Sequence, residues 1–237
     1  YLFEGAMMHR DSLGSVQEIL PGAINWMTAG RGIVHSERKP ERLLADTFVN
    51  HGLQLWAALP QAHEEVEPSF EHTPADAIPE LTVQGVPVRV LVGEAFGARS
   101  PVKTLAQTVY LDIALPAGGR FELPALAPEL AVYMVDGDAS VNGEPAPAHT
   151  MAVLPDGQGA VFTADTAVRL MVIGGEPLDG PRYITWNFVS SRRERILEAG
   201  ADWAAQRMGH VPGETEFIPL PGKPFGVREP DTGTTPV

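Results

Sequence analysis

The stretch AGRGIVHSE, residues 29–37, sets an imidazole and a carboxylate two positions apart, directly after a glycine-bearing turn. In a strand, residues two apart project from the same face, so His35 and Glu37 would point together. An imidazole nitrogen and a carboxylate oxygen converging on one point suit a divalent first-row metal. Two ligands do not define a site, and on spacing alone a surface histidine beside a surface glutamate is the commoner arrangement. Other chemistries are excluded more firmly. Gly30 and Gly32 open no dinucleotide fingerprint, because His35 stands where the third glycine belongs and no helix follows. There is no Gly-x-Ser-x-Gly elbow and no phosphate-binding loop. With no cysteine in the chain, thiolate metal sites, iron–sulfur clusters, disulfides and a cysteine nucleophile are ruled out.

The other histidines are weighed against this pair. His9, in MMHRDS, sits in the return strand of a hairpin, where a hydrogen bond to a turn or to Asp11 competes with a supporting role behind a metal ligand. His51 opens HGLQLW and is a second candidate for orienting a ligand. His63 and His72 fall in an acidic stretch and read as solvated. His149 lies in a turn, and His210 follows a helix stop.

These residues need a scaffold, and the scaffold reads as β. The 24 glycines and 22 prolines punctuate short apolar runs. Candidate strands are GLQLWAAL (52–59), VPVRVLVGEA (86–95), TVYLDIAL (108–115), LAVYMVDGDASV (130–141), TMAVL (150–154), GAVFTA (159–164) and VRLMVIGG (168–175). Many short strands separated by turns predict a sandwich or barrel. YLFEGAMMHRDSLG (1–14) and YMVDGDASVNGEP (133–145) echo each other, which suggests two related halves, with EEVEPSFEHTPADAIPE (64–80) as their connection. One helix is predicted near 191–208, with Ser191 and Glu194 at capping-box spacing, Ile196, Ala199, Gly200 and Trp203 on one face, and Gly209 as its stop. The tail, 222–237, reads as flexible.

The whole chain narrows the setting. Its 237 residues suffice for one large or two small domains. A formal net charge of −13 repels phosphates and argues against direct nucleic-acid binding. No apolar run reaches membrane-spanning length, and no signal segment opens the chain. Together with the lack of cysteine this fits a cytoplasmic setting. YLFEG reads as a strand already under way, so the true start is expected upstream.

INWMTAGRGIVHSE (24–37), followed in order by HGLQLW (51–56), GEAFG (93–97) and GGEPL (174–178), resembles the pirin family of the cupin superfamily, from Tyr1 to about Pro221. The resemblance implies an all-β bicupin: two antiparallel jelly-roll barrels with a C-terminal helix, divided here as 1–78 and 79–221. It implies one metal, iron(II) or another divalent first-row ion, held in the N-terminal barrel by three histidines and one glutamate. His35 and Glu37 match two of these ligands. The other two histidines belong to a His-Pro-His segment that would precede Tyr1. The second half shows Glu122 in GGRFELPA (118–125) with no histidine beside it, and is read as metal-free. Two functions follow from the resemblance. One is a quercetinase-type dioxygenase acting on an aromatic enol or flavonol with dioxygen. There Glu37 would be the catalytic base, and Gln54 and Trp56, on one strand face, would line the substrate pocket, core packing being the commoner role for Trp56. The other is a redox-sensitive iron module that binds partner proteins such as transcription regulators.

Overall fold

The computed structural model describes residues 1–221, and the expected flexible tail, 222–237, lies outside the described residues. The chain forms two compact units. One combines Tyr1–His72 with the chain from Leu178 onward, so it is discontinuous in sequence. The other, Thr73–Pro177, is continuous.

The first unit begins with β1 (Leu2–Glu4), β2 (Met7–Asp11), β3 (Val16–Ile19), β4 (Ile24–Thr28), β5 (His35–Arg38), β6 (His51–Gly52) and β7 (Ser69–Thr73). β2 is the centre of a three-stranded sheet, flanked by β3 and β5, while β1 pairs with β6 and β4 with β7. The GLQLWAAL stretch therefore contributes only its first glycine to a strand, and residues 53–60 run on without one. Nor is the acidic stretch at 64–80 a solvated connection. Its β7 pairs with β4, and His72 Nδ1 lies 2.8 Å from Asn25 Oδ1.

The second unit carries β8 (Glu80–Val83), β9 (Val86–Val92), β10 (Glu94–Ala95), β11 (Ala98–Arg99), β12 (Thr108–Leu115), β13 (Arg120–Leu123), β14 (Glu129–Asp136), β15 (Ala139–Val141), β16 (Glu144–Ala146), β17 (Met151–Val153), β18 (Ala160–Thr163) and β19 (Val168–Gly175). A six-stranded sheet runs β17-β14-β19-β12-β9-β8, and a four-stranded sheet runs β13-β18-β15-β16. Both supply one apolar core that includes Val88, Leu111, Phe121, Val132, Phe162 and Leu170. β13 shows the period of two that makes such a core: Phe121 and Leu123 are buried while Arg120 and Glu122 face out. β12 departs from it, because Val109 through Ile113 are buried on both faces.

The sequence echo has a structural counterpart. Each piece is a strand, a left-handed glycine, then a second strand. Gly5 has φ +93° and Gly137 φ +80°, and a Cβ would meet the Val49 carbonyl oxygen at 2.5 Å in one and that of Ala167 at 2.7 Å in the other. Only glycine fits both demands. Where the first piece carries His9, the second carries buried Val141.

The first unit closes with β20 (Tyr183–Thr185), β21 (Phe188–Ser190) and α1 (Arg193–Ala204). The helix packs on the β20–β21 hairpin through buried Ile196, Ala199 and Gly200. The expected division placed it with residues 79–221, whereas the chain from Leu178 on belongs to the unit that begins at Tyr1. The predicted capping box does not form: Arg192 is the N-cap, with no side-chain bond, and the Ser191 hydroxyl is taken by Glu64 Oε2 at 2.9 Å. The helix also stops before Gly209. Gln206 adopts φ +55°, its amide bonds the Trp203 carbonyl, and the Arg207 amide bonds that of Asp202, the paired bonds of a Schellman ending. Among the described residues no helix is long and apolar enough to cross a membrane.

Candidate metal centre

The glycine-bearing turn delivers His35 to its strand. Gly30, at φ +51°, presses against residue 66, where a Cβ would meet the Val66 carbonyl oxygen at 2.0 Å. That carbonyl accepts the Arg31 amide at 3.0 Å, and Gly32 N bonds the Ala29 carbonyl at 2.9 Å. Ser12 then pins the exit. Its amide donates to the Val34 carbonyl at 2.8 Å, and its hydroxyl accepts the Val34 amide at 3.1 Å. The next residue is His35, already in register with β2.

That register assembles the site. Across the antiparallel β2–β5 pair, His9 faces Glu37 and Asp11 faces His35. Directly opposed residues share a face, as do residues two apart along a strand, so all four side chains lie on one face. His9, His35 and Glu37 each offer a ligand atom, and these atoms lie within 4.8 Å of one another. His9 is buried, His35 half-buried and Glu37 exposed, so the cluster runs from the interior to the surface. The two imidazole centroids are 5.6 Å apart. His9 stacks on Phe70 at 4.0 Å with an 8° interplanar angle.

The local electrostatics suit a cation. Burial pushes the His35 imidazole below its ordinary value, against a smaller upward pull from Glu37, so it is neutral and able to ligate. His35 Nδ1 is buried without a hydrogen-bond partner. A buried polar atom left unpaired is costly, and a bound ion is one way to satisfy it. Burial works to raise the Asp11 carboxyl. Hydrogen bonds from His9 and from the Ser15 and Leu13 amides outweigh it and hold the group below the usual carboxylate range. These donor types therefore fit a divalent metal.

The remaining sequence candidates fall elsewhere. His51 lies on β6 with its ring 5.0 Å from Phe3, outside the cluster. Gln54 and Trp56 share no strand face, since that segment is not a strand, and both are exposed. Trp56 is 57% exposed, so it is not a core residue either. Asp11 is where the sequence expected it, as the hydrogen-bond partner of His9, with Oδ2 3.1 Å from His9 Nε2. Beside Glu37 lies an open pocket of about 390 Å³ lined by Met7, Arg38, Lys39, Phe48 and Asn50 among others.

The strand bearing the site is latched at its far end. Ser36 Oγ donates to Glu214 Oε1 at 2.5 Å, and Arg38 Nη2 to Glu214 Oε2 at 2.9 Å. The Arg38 and Ser36 bonds hold the Glu214 carboxyl below its ordinary value, and Arg182 does the same for Asp179. Asp11, Asp179 and Glu214 are therefore all depressed in the folded first unit. A depressed carboxyl adds stability that is present above its unfolded value and lost as pH falls through its folded one. The ordinary values are 3.8 for Asp and 4.5 for Glu. The urea midpoint of the first unit should thus be lower at about pH 3 than at about pH 6, read by tryptophan fluorescence. All four tryptophans, at 26, 56, 186 and 203, belong to that unit, so the signal is specific. Equal midpoints would contradict the assigned ionic contacts.

Two jelly-roll units in one chain, one with an aliphatic core around Phe121 and Phe162 and the other presenting two histidines and a glutamate on a sheet face, are the architecture of a bicupin. Comparison with known proteins agrees. Residues 1–57 match the pirin family and residues 110–209 match the pirin C-terminal cupin domain. A pirin-like protein of Caulobacter vibrioides is 46% identical over 224 residues, covering 93% of this chain and 77% of its own length. Human pirin is 34% identical over 224 residues, covering 91% and 75%. The crystal structure of quercetin 2,3-dioxygenase from Acinetobacter baumannii superposes with a TM-score of 0.84 at 34% identity, covering 96% of this chain and 76% of that one. The chain belongs to the pirin family.

Proposed function

We propose that the first unit holds a divalent metal, iron(II) in the working protein, and that the protein is a dioxygenase cleaving an aromatic enol of the flavonol class. The observation that carries this reading is the His9, His35 and Glu37 face, with ligand atoms within 4.8 Å. His35 and Glu37 set an imidazole and a carboxylate on this face, donor types that suit a divalent first-row ion with further positions left open. Similarity to a quercetin 2,3-dioxygenase of known structure supports the substrate class.

His35 and Glu37 would hold the ion, which supplies Lewis acidity and electron transfer between enol and dioxygen. The protein's own part is to bind and orient. The pocket beside Glu37, about 390 Å³, is in the size range of small-molecule sites. Phe48 and Met7 give it apolar wall, and Lys39, whose ammonium sits 5.3 Å from the Phe48 ring centroid, gives it positive charge. A cation there suits an enolate. Glu37 lines this pocket and also belongs to the donor face, so it is placed to accept the enol proton. A pocket of this size favours the enzyme over a module that only binds partners.

The test is loss of quercetin absorbance by the iron-loaded protein, under air and under nitrogen. Consumption under air alone is expected. If the iron-loaded protein consumes no flavonol, the dioxygenase reading is wrong and the redox-sensitive binding module replaces it.

A further inference from the structure

The second unit guards three of the four edges of its two large sheets and leaves the fourth bare. An unpaired strand edge is a template for another strand, and folds blunt it with proline, charge or a covering group. β13 has its outward backbone covered: the Gln84 side chain donates to the Glu122 carbonyl at 2.9 Å and accepts the Glu122 amide at 2.9 Å. β16 has Pro145 at its centre, and β8 begins with exposed Glu80 directly after Pro79. β17, the remaining edge of the six-stranded sheet, is different. Residues 150–154 contain no proline and no charged side chain, and Met151 and Val153 are 55% and 79% exposed.

The register of β17 says what fits there. The Leu154 amide donates to the Leu130 carbonyl at 2.9 Å and the Met134 amide to the Thr150 carbonyl at 3.0 Å, so Ala152, opposite Val132 between them, is the residue that bonds β14. Met151 and Val153 therefore direct their amides and carbonyls outward. We propose that β17 pairs edge to edge with β17 of a second copy of this chain, antiparallel about a two-fold axis at Ala152, joining the two six-stranded sheets into one. In that register Met151 of each copy faces Val153 of the other, and every outward amide meets an outward carbonyl. Sliding one strand by two residues would halve those bonds. The opposed Met151 and Val153 side chains share a face and cover each other, beside half-buried Tyr133 and Ala131 of β14. A contact of three residues a side falls short of the roughly 1,200 Å² of a stable interface, so the pair is weak and depends on concentration.

Sedimentation equilibrium from micromolar to millimolar chain is expected to show monomer passing to dimer. Val153→Lys places a charge on the edge and should keep the chain monomeric throughout, with a melt close to wild type. It also makes this acidic chain less acidic, so general repulsion between copies cannot account for the loss. A thiol reads the register separately, because the chain has no cysteine. The axis sets Ala152 opposite its own mate as a non-hydrogen-bonded pair, with Cα atoms about 4.5 Å apart and within reach of a disulfide. Ala152→Cys should therefore cross-link under mild oxidation. Val153→Cys, diagonal to its mate at about 7–8 Å, should cross-link far more slowly. A wild type that stays monomeric at millimolar concentration overturns the proposal. A dimer that survives Val153→Lys unchanged, or that cross-links no faster through Ala152→Cys than through Val153→Cys, places the interface elsewhere and overturns it too.

Discussion

Glu37→Gln is expected to lower flavonol turnover by about 10²–10⁴-fold even at full metal content. The amide keeps an oxygen that can face the ion, but it loses the negative charge that balances the metal and the carboxylate placed to take the enol proton. His35→Ala should act differently, losing the metal and the activity together. His210→Ala, at an exposed position after the helix, should stay near wild type. Turnover is read as quercetin loss under air, with iron content measured on each sample. Full turnover by iron-replete Glu37→Gln would remove the base role from Glu37 while leaving the enzyme class in place.

The largest stability effect is expected away from the His9, His35 and Glu37 face. Arg182 and Glu64 form a nearly buried ion pair, 4% and 10% exposed, with Nε 2.7 Å from Oε1. Arg182 also donates to the Leu59 carbonyl at 2.7 Å and the Gly180 carbonyl at 2.7 Å, and pairs with Asp179. Glu64 in turn accepts from the Ser191 amide at 2.9 Å and from the Ser190 hydroxyl at 3.1 Å. This ties residues 59–64 to residues 179–191. Arg182→Met leaves the Glu64 carboxylate buried and short of its cation, and should cost about 3–5 kcal/mol in unfolding of the first unit. The double variant Glu64→Leu with Arg182→Met should recover much of that, because it removes both charges. Urea titrations followed by tryptophan fluorescence measure both. An Arg182→Met midpoint equal to wild type would refute the ion pair as a structural tie.

The sequence made some of this legible and hid the rest for physical reasons. TVYLDIAL and VRLMVIGG became β12 and β19 with the predicted bounds, because apolar runs between turns carry their own signal. His35 and Glu37 could be paired by eye, since a spacing of two is local. What failed was non-local. Ser191 looked like a cap until Glu64, distant in sequence, took its hydroxyl. GLQLWAAL alternates like a strand, yet beyond Leu53, which exchanges backbone bonds with Tyr1, it joins no strand among the described residues. Residues 64–80 read as a connection because their acids are visible and their partners, Arg182 and Asn25, are far along the chain. The grouping of His9 with Glu37 depended on the β2–β5 register, which no single segment encodes.

The discontinuity of the first unit imposes an order on synthesis. Residues 73–177 form a unit that is complete once Pro177 has left the ribosome, and nothing in its core waits for later sequence. The strands of residues 1–72 are made earlier but finished later. Glu64 emerges long before Arg182, and Ser36 and Arg38 long before Glu214. At ordinary elongation rates of 5–20 residues per second, the intervening unit takes roughly 5–20 s to make. Through that interval the sheet that carries His9, His35 and Glu37 can form its β2–β5 pairing but not its latch, which leaves its edges open while the second unit is still being synthesised.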